Sequence, residues 1–189
     1  MTCLCFFDAG ARSFYFSKKE VTKPADMAGL TIRVQEAAPM IAMVKSLGAN
    51  ATAIDTAEIY QSLQTGVVEG AENNIPFYHS QSHYEVAKYF VTSEHQRIPD
   101  IIVMSVITMK KLKPETVAII KKAGFDASVS QRNQWLNAEK EAETEAEKSG
   151  VKITRLTAEQ REPFRAATES VRQKYGAQYA DLLARIENS

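Results

Sequence analysis

The chain has 189 residues, 44% hydrophobic and 24% charged, with 23 Lys plus Arg set against 23 Asp plus Glu. That is length and apolar content enough for a real core, and a net charge of zero argues against a nucleic-acid partner, which needs a basic surplus on one face. No apolar run approaches the ~20 residues of a bilayer-spanning helix, and the N-terminus shows neither the basic region nor the cleavage site of a signal peptide.

Cys3-Leu4-Cys5-Phe6-Phe7 reads as a buried strand with Leu4 and Phe6 on one face. A chain that opens inside a core strand is expected to be a shortened form of something longer. Cys3 and Cys5 are the only cysteines. Bridging at that spacing is strained, and no His or Cys cluster accompanies them, so they are expected to be buried apolar filler and not a metal site. Asp8 to Tyr15 reads as a loop whose Gly10 and small residues let Arg12 converge on a ligand. Pro24 to Ala28 is a helix-like turn, Gly29 a break, and Leu30 to Val34 a strand. Met40, Met43, Val44 and Leu47 recur on one face of a helix that Gly48 stops. Ala51 to Ile54 is a short strand. Asp55 and Glu58 suit a capping arrangement for a helix through Ile59, Tyr60 and Leu63 to Gly66. Val67-Val68 leads into an extended piece, Asn73-Asn74-Ile75-Pro76 breaks it, and strands follow at Lys88 to Thr92 and Ile101 to Val106. This alternation predicts an α/β layer architecture.

The last third differs. Pro114 to Lys148 is helix-permissive, with Gly124 its one weak point. Its second half is too polar for a core, and Ala138, Ala142 and Ala146 leave one narrow small-residue face, as in helices that bridge domains or lie along a surface. Glu143 and Glu147 have no Lys four places on, so local ion-pair support is thin. Thr157-Ala158-Glu159-Gln160 is a capping box for a helix through Phe164, Val171 and Tyr175, which Gly176 separates from a last helix ending near Ile186.

Several side chains could carry chemistry. Arg33 stands near the C-terminal end of a strand, where open α/β sheets bind ligands, and its planar fork matches a carboxylate; spacing alone favours an edge-strand Arg paired with a surface acid. Asn73 could donate to and accept from a ligand, or cap a helix. Gln35 and Glu36, in the loop after the Arg33 strand, are an amide and an acceptor-only carboxylate of the kind that bond hydroxyls. His79 and His83 are four apart, but with no third ligand they read as surface or capping histidines. No nucleophilic triad, Gly-rich phosphate loop or usable carboxylate pair is present. The expectation is a binder with no catalysis, no cofactor and no metal.

Three segments carry a resemblance. Gly29-Leu30-Thr31-Ile32-Arg33-Val34 is similar to the GLKIRV segment of the solute-binding proteins of TRAP transporters, the DctP family. Glu58 to Asn73 resembles the family's EVYxALQTGVVDGxEN, and Tyr84 to Tyr89 its YEVAKY. The resemblance spans residues 6 to about 175 and implies a periplasmic-binding-protein-like (type II-like) second lobe, a long linking helix and C-terminal helices. It implies an α/β ligand-binding lobe at 1–113, with its entering strand at 3–7, and linking and C-terminal helices at 114–189, most of the family's first lobe being absent. It further implies that Arg33 pairs with a ligand carboxylate, that Asn73 contacts the ligand and that Arg12 is a second cleft arginine. The family's cleft aromatic falls at Asp55-Thr56, neither of which is aromatic. The expected function is capture of a small organic acid, a sugar acid such as a uronate over a C4-dicarboxylate, in the periplasm for delivery to TRAP membrane subunits. A shortened lobe with an interaction or sensory role, a nonfunctional remnant, and a small α/β enzyme are the alternatives. Self-association through an exposed lobe face is expected.

Overall fold

The computed structural model describes residues 1–187. Strands β1 (Thr2–Phe7), β2 (Ala11–Phe16) and β3 (Thr31–Val34) precede helix α1 (Ala38–Ser46) and strand β4 (Asn50–Ala53). Helix α2 (Ile59–Gln64), strand β5 (Gly70–Asn73) and the short helices α3 (Ile75–Ser80) and α4 (His83–Val86) follow. Then come β6 (Tyr89–Arg97), β7 (Asp100–Met104), α5 (Val106–Lys111) and the 35-residue α6 (Pro114–Lys148). Strand β8 (Lys152–Thr154), α7 (Ala158–Gly176) and α8 (Ala180–Glu187) complete the order.

Six strands form one sheet in the order β4-β3-β5-β2-β6-β8, and β1 pairs with β7 in a separate ribbon. β2 runs antiparallel to both neighbours, β5 and β6; the pairings β3–β4, β3–β5 and β6–β8 are parallel. Five strands therefore end at one edge of the sheet, and β2 begins there. Phe14, Tyr15 and Phe16 are consecutive in β2 and all buried, as a strand covered on both faces requires. One core, with Phe14, Phe16, Ile32, Met40 and Val44, lies on one side. A second, with Tyr15, Ile59, Ala71, Tyr78 and Phe90, lies on the other and takes in Ala142 and Ala146 of α6.

The α/β expectation holds, and several local expectations do not. Residues 11–16 are a central strand where a loop was expected; the run Phe14-Tyr15-Phe16 is the signal that Gly10 obscured. β1 is not a core strand. Its register against β7 jumps between Cys3 and Cys5, so Leu4 is an extra residue and the alternation is broken. Cys5 is buried, Cys3 is exposed, and Phe6 is 57% exposed. The helix expected over Pro114 to Lys148 forms unbroken through Gly124, where a Cβ would lie 3.3 Å from the Leu4 Cβ, so its absence lets β1 approach the helix. Asp55 forms no side-chain cap; its carbonyl accepts from the Glu58 N–H in a 3-10 turn, Thr56–Glu58. The Thr157 box forms as expected: Gln160 N donates to Thr157 Oγ1, and Thr157 N to Gln160 Oε1. Gly48 takes φ +83°, the left-handed turn that ends α1. The partner that spacing could not find for Glu143 and Glu147 is Arg155, which donates to both.

Candidate functional site

Arg33 is the third residue of β3, Asn73 the last of β5 and Arg12 the second of β2, so strand direction brings all three to the same sheet edge. Arg33 is only 2% exposed. Its Nε donates to the Ile54 carbonyl at 2.8 Å, and Nη2 reaches Thr56 Oγ1 at 3.5 Å. Nη1 has no hydrogen-bond partner among the described residues. Burial lowers the Arg33 pKa from its ordinary value and the charge of Arg12 adds to this, against opposing contributions from Tyr15 and Glu72; an arginine remains protonated regardless. The guanidinium borders a cleft of about 380 Å³, whose other lining residues are Gln35, Glu36, Ala53, Ile54, Asp55, Thr56 and Glu58. Gln35 and Glu36 are exposed on its rim. Glu36 does not cap α1, whose N-cap is Ala37 with no side-chain bond.

Arg12 is in a different condition. Its Nε donates to Glu72 Oε2 at 2.6 Å and its Nη2 to Oε1 at 2.8 Å, a two-pronged pair, while Nη1 donates to Asn73 Oδ1 at 3.0 Å. Glu72 is fully buried. Burial pushes its carboxyl up, but the neighbouring His95 and Arg12 outweigh that and hold it below the ordinary value. His95 Nε2 stands 3.6 Å from Glu72 Oε2, ion-pair range but too long for a hydrogen bond. Its Nδ1 is 2.9 Å from Ser93 Oγ, and its ring stacks on Phe14. Asn73 Oδ1 also accepts from the Asn74 N–H, leaving the Asn73 Nδ2 group with no described acceptor. Asn74, not Asn73, caps α3, accepting from Phe77 N at 2.8 Å.

Sequence reasoning missed Glu72 and His95, which lie 60 and 83 residues from Arg12, and it missed Asp55 and Glu58 as cleft lining. A carboxylate on a strand otherwise reading as buried, next to Asn73, was the available signal for Glu72. The histidine expectation also changes. Ser82 takes a left-handed φ of 56° between α3 and α4, so His79 and His83 do not share a helix face. His79 stacks on Tyr84. His83 is not on the surface: it is buried, with Nδ1 2.8 Å from the Tyr15 hydroxyl. Burial, helped by the charge of Arg33, pushes its pKa down to about 4, so it is neutral at pH 7. Among the described residues no group of three or more His, Cys, Asp or Glu could hold a metal.

A buried guanidinium open to a cleft at the carboxyl ends of parallel strands stands where open α/β sheets in general bind ligands. The chain belongs to the DctP family, Bacterial extracellular solute-binding protein, family 7, which matches residues 1–178. A curated Solute-binding protein of Chromohalobacter salexigens is 33% identical over 179 residues, 95% of this chain and 53% of its own length. A TRAP periplasmic solute binding protein from Sulfitobacter sp. NAS-14.1, solved with bound β-D-galacturonate, is 39% identical with a TM-score of 0.89 over 97% of this chain and 60% of that one. One from Pseudomonas putida F1, solved with bound D-glucuronate, is 39% identical with a TM-score of 0.92 over 100% of this chain and 60% of that one. The chain thus spans about half the length of the curated relatives it matches.

Proposed function

We propose that this chain supplies the carboxylate-holding side of a periplasmic TRAP solute-binding site for a hexuronate. The observation that carries the reading is Arg33, buried at the sheet edge with its Nη1 unpartnered beside a cleft. A buried charge with an unused donor is stabilised by an anionic ligand that completes its hydrogen bonds. The free Asn73 Nδ2 offers a second donor at the same edge, and Arg12, through Asn73 Oδ1, holds that amide in place. The uronates bound to similar proteins from Sulfitobacter and Pseudomonas support the ligand class. Residues 1–113 form the ligand lobe in this reading, and residues 114–189 the linking and C-terminal helices, of which 188 and 189 lie outside the described residues. Delivery is to TRAP membrane subunits, by binding and release without catalysis.

Calorimetry with D-glucuronate, D-galacturonate, succinate and malate tests this, on the 189-residue chain and on a version extended to the length of its relatives. Arg33→Ala removes one partner of a desolvated charge pair and is expected to cost about 2–5 kcal/mol of binding. Lys is expected to rescue poorly, since it lacks the fork. Succinate or malate binding about tenfold tighter (~1.4 kcal/mol) than every uronate sinks the ligand class. Less than about a threefold loss on Arg33→Ala sinks the anchor. The 189-residue chain also exposes Phe6, Ile101, Val103 and Ile107 on and beside the β1–β7 ribbon, a free-edged apolar surface suited to a second copy. Light scattering is expected to show a dimer or larger species.

A further inference from the structure

Three carboxylates surround Arg33 in its cleft: Glu36, Asp55 and Glu58. None makes an ion pair or a side-chain hydrogen bond with any described residue. Four other acids of this lobe are engaged: Glu72 with Arg12, Glu69 with Lys18, Glu20 with Lys152 and Asp8 with Arg97. One guanidinium with a free Nη1 thus faces three acceptors that the protein itself leaves unused.

We propose that Asp55 and Glu58, with Glu36, form an acidic rim that reads the hydroxyls of a monocarboxylate sugar acid and rejects dianions. This rests on the uronate reading and assigns two residues that determine its specificity. The 3-10 turn Thr56–Glu58 sets the rim. Glu58 N donates to the Asp55 carbonyl at 3.0 Å, which places the two residues one turn apart, and Ile59, fully buried, anchors the turn to the core. Ala53 and Thr56 are small, so the space between guanidinium and rim stays open for a ring. With the ligand carboxylate on Arg33, its far hydroxyls meet acceptor-only groups, and the resulting O–H to carboxylate bonds are charge-assisted. A second carboxylate at that end meets like charge instead, a repulsion that grows as the site loses water. Only one arginine stands free to compensate, because the fork of Arg12 is occupied by Glu72.

The discriminating pair is D-galacturonate and galactarate, which share the configuration at C2 to C5 and differ at C1, where galactarate has a second carboxylate in place of the carbon that closes the pyranose ring. Both are titrated by NMR and calorimetry into the 189-residue chain and its Asp55→Asn/Glu58→Gln variant. Unmodified, galacturonate is expected to bind at least about tenfold tighter than galactarate, and in the variant the ratio should fall to about threefold or less. Galactarate should tighten while galacturonate weakens severalfold, as charge-assisted bonds become neutral ones. Equal binding of the two acids by the unmodified chain, or an unchanged ratio in the variant, overturns the rim and leaves the Arg33 anchor standing. An absent response to galacturonate up to about 20 mM, beyond millimolar affinity, overturns rim and uronate reading together.

Discussion

Arg12 and Arg33 stand at the same edge of one sheet in opposite electrostatic conditions. Arg12 is a finished ion pair: a fully buried carboxylate takes two of its donors and Asn73 a third. Arg33 is the more buried of the two but is held by a backbone carbonyl and a distant hydroxyl, neither of which cancels its charge. Glu72 and Arg12 act on Arg33 in opposite senses, the carboxylate raising its pKa and the guanidinium lowering it. The difference separates structure from function. A satisfied buried charge holds strands together, whereas an unsatisfied one is a place where an anion would add stability.

The largest test of this contrast is Glu72→Ala. It leaves the part-buried Arg12 guanidinium without its counter-charge, and urea unfolding is expected to show a loss of about 3–5 kcal/mol. A loss under about 1 kcal/mol would mean that water already serves Arg12.

Next in size is an acid effect centred on His83. Its folded pKa of about 4 lies below the ordinary 6.5, so the unfolded chain binds more protons in that interval. The stabilisation is therefore full above pH 6.5 and is lost as pH falls toward 4, by about 3 kcal/mol in all. His83→Gln should flatten that part of the stability–pH curve. Arg33→Met should move its midpoint upward, because the charge of Arg33 is the second cause of the depression. Glu72, held below its ordinary 4.5, adds a further loss as pH falls below that value and the carboxyl is protonated.

Smaller again is the stability effect of Arg33→Met itself. Although it deletes a charge from the same edge, unfolding free energy should stay within about 1 kcal/mol of the parent or rise, since a desolvated and partly unpaired group is removed. A drop comparable to that of Glu72→Ala would erase the distinction between the two arginines. Smallest is Thr56→Ala. The Nη2 to Oγ1 contact of 3.5 Å is at the limit of a hydrogen bond. Thermal unfolding should register about 0.5 kcal/mol or less.

Much of the frame was legible because it is encoded locally. The Met40, Met43, Val44, Leu47 face with Gly48 behind it is α1 and its stop, and Thr157 to Gln160 is the cap of α7. Arg33 could be placed at a strand end from Leu30 to Val34 alone, and strand ends are where α/β sheets bind. Asn73 arrived through the family resemblance, since its own neighbourhood equally suited a cap, and Asn74 proved to be that cap. β2 escaped because a strand inserted between β5 and β6 has no local periodicity to distinguish it, only an aromatic run beside a glycine. His83 escaped for a similar reason. Nothing near it announces burial; its partner Tyr15 is 68 residues away.

The sequence by itself determined the α/β alternation, the long polar helix with its alanine seam, the family, and Arg33 as the residue on which a ligand reading would turn. Those follow from hydrogen bonds, periodicities and motifs within a few turns of chain. The tertiary structure alone decided that Arg12 would be spent on Glu72 and Arg33 left open, that β1 would bulge out into a ribbon with β7, and that three unpaired carboxylates would ring the cleft. Each of these depends on which distant groups share a desolvated space, and charge and burial act through space, not along the chain.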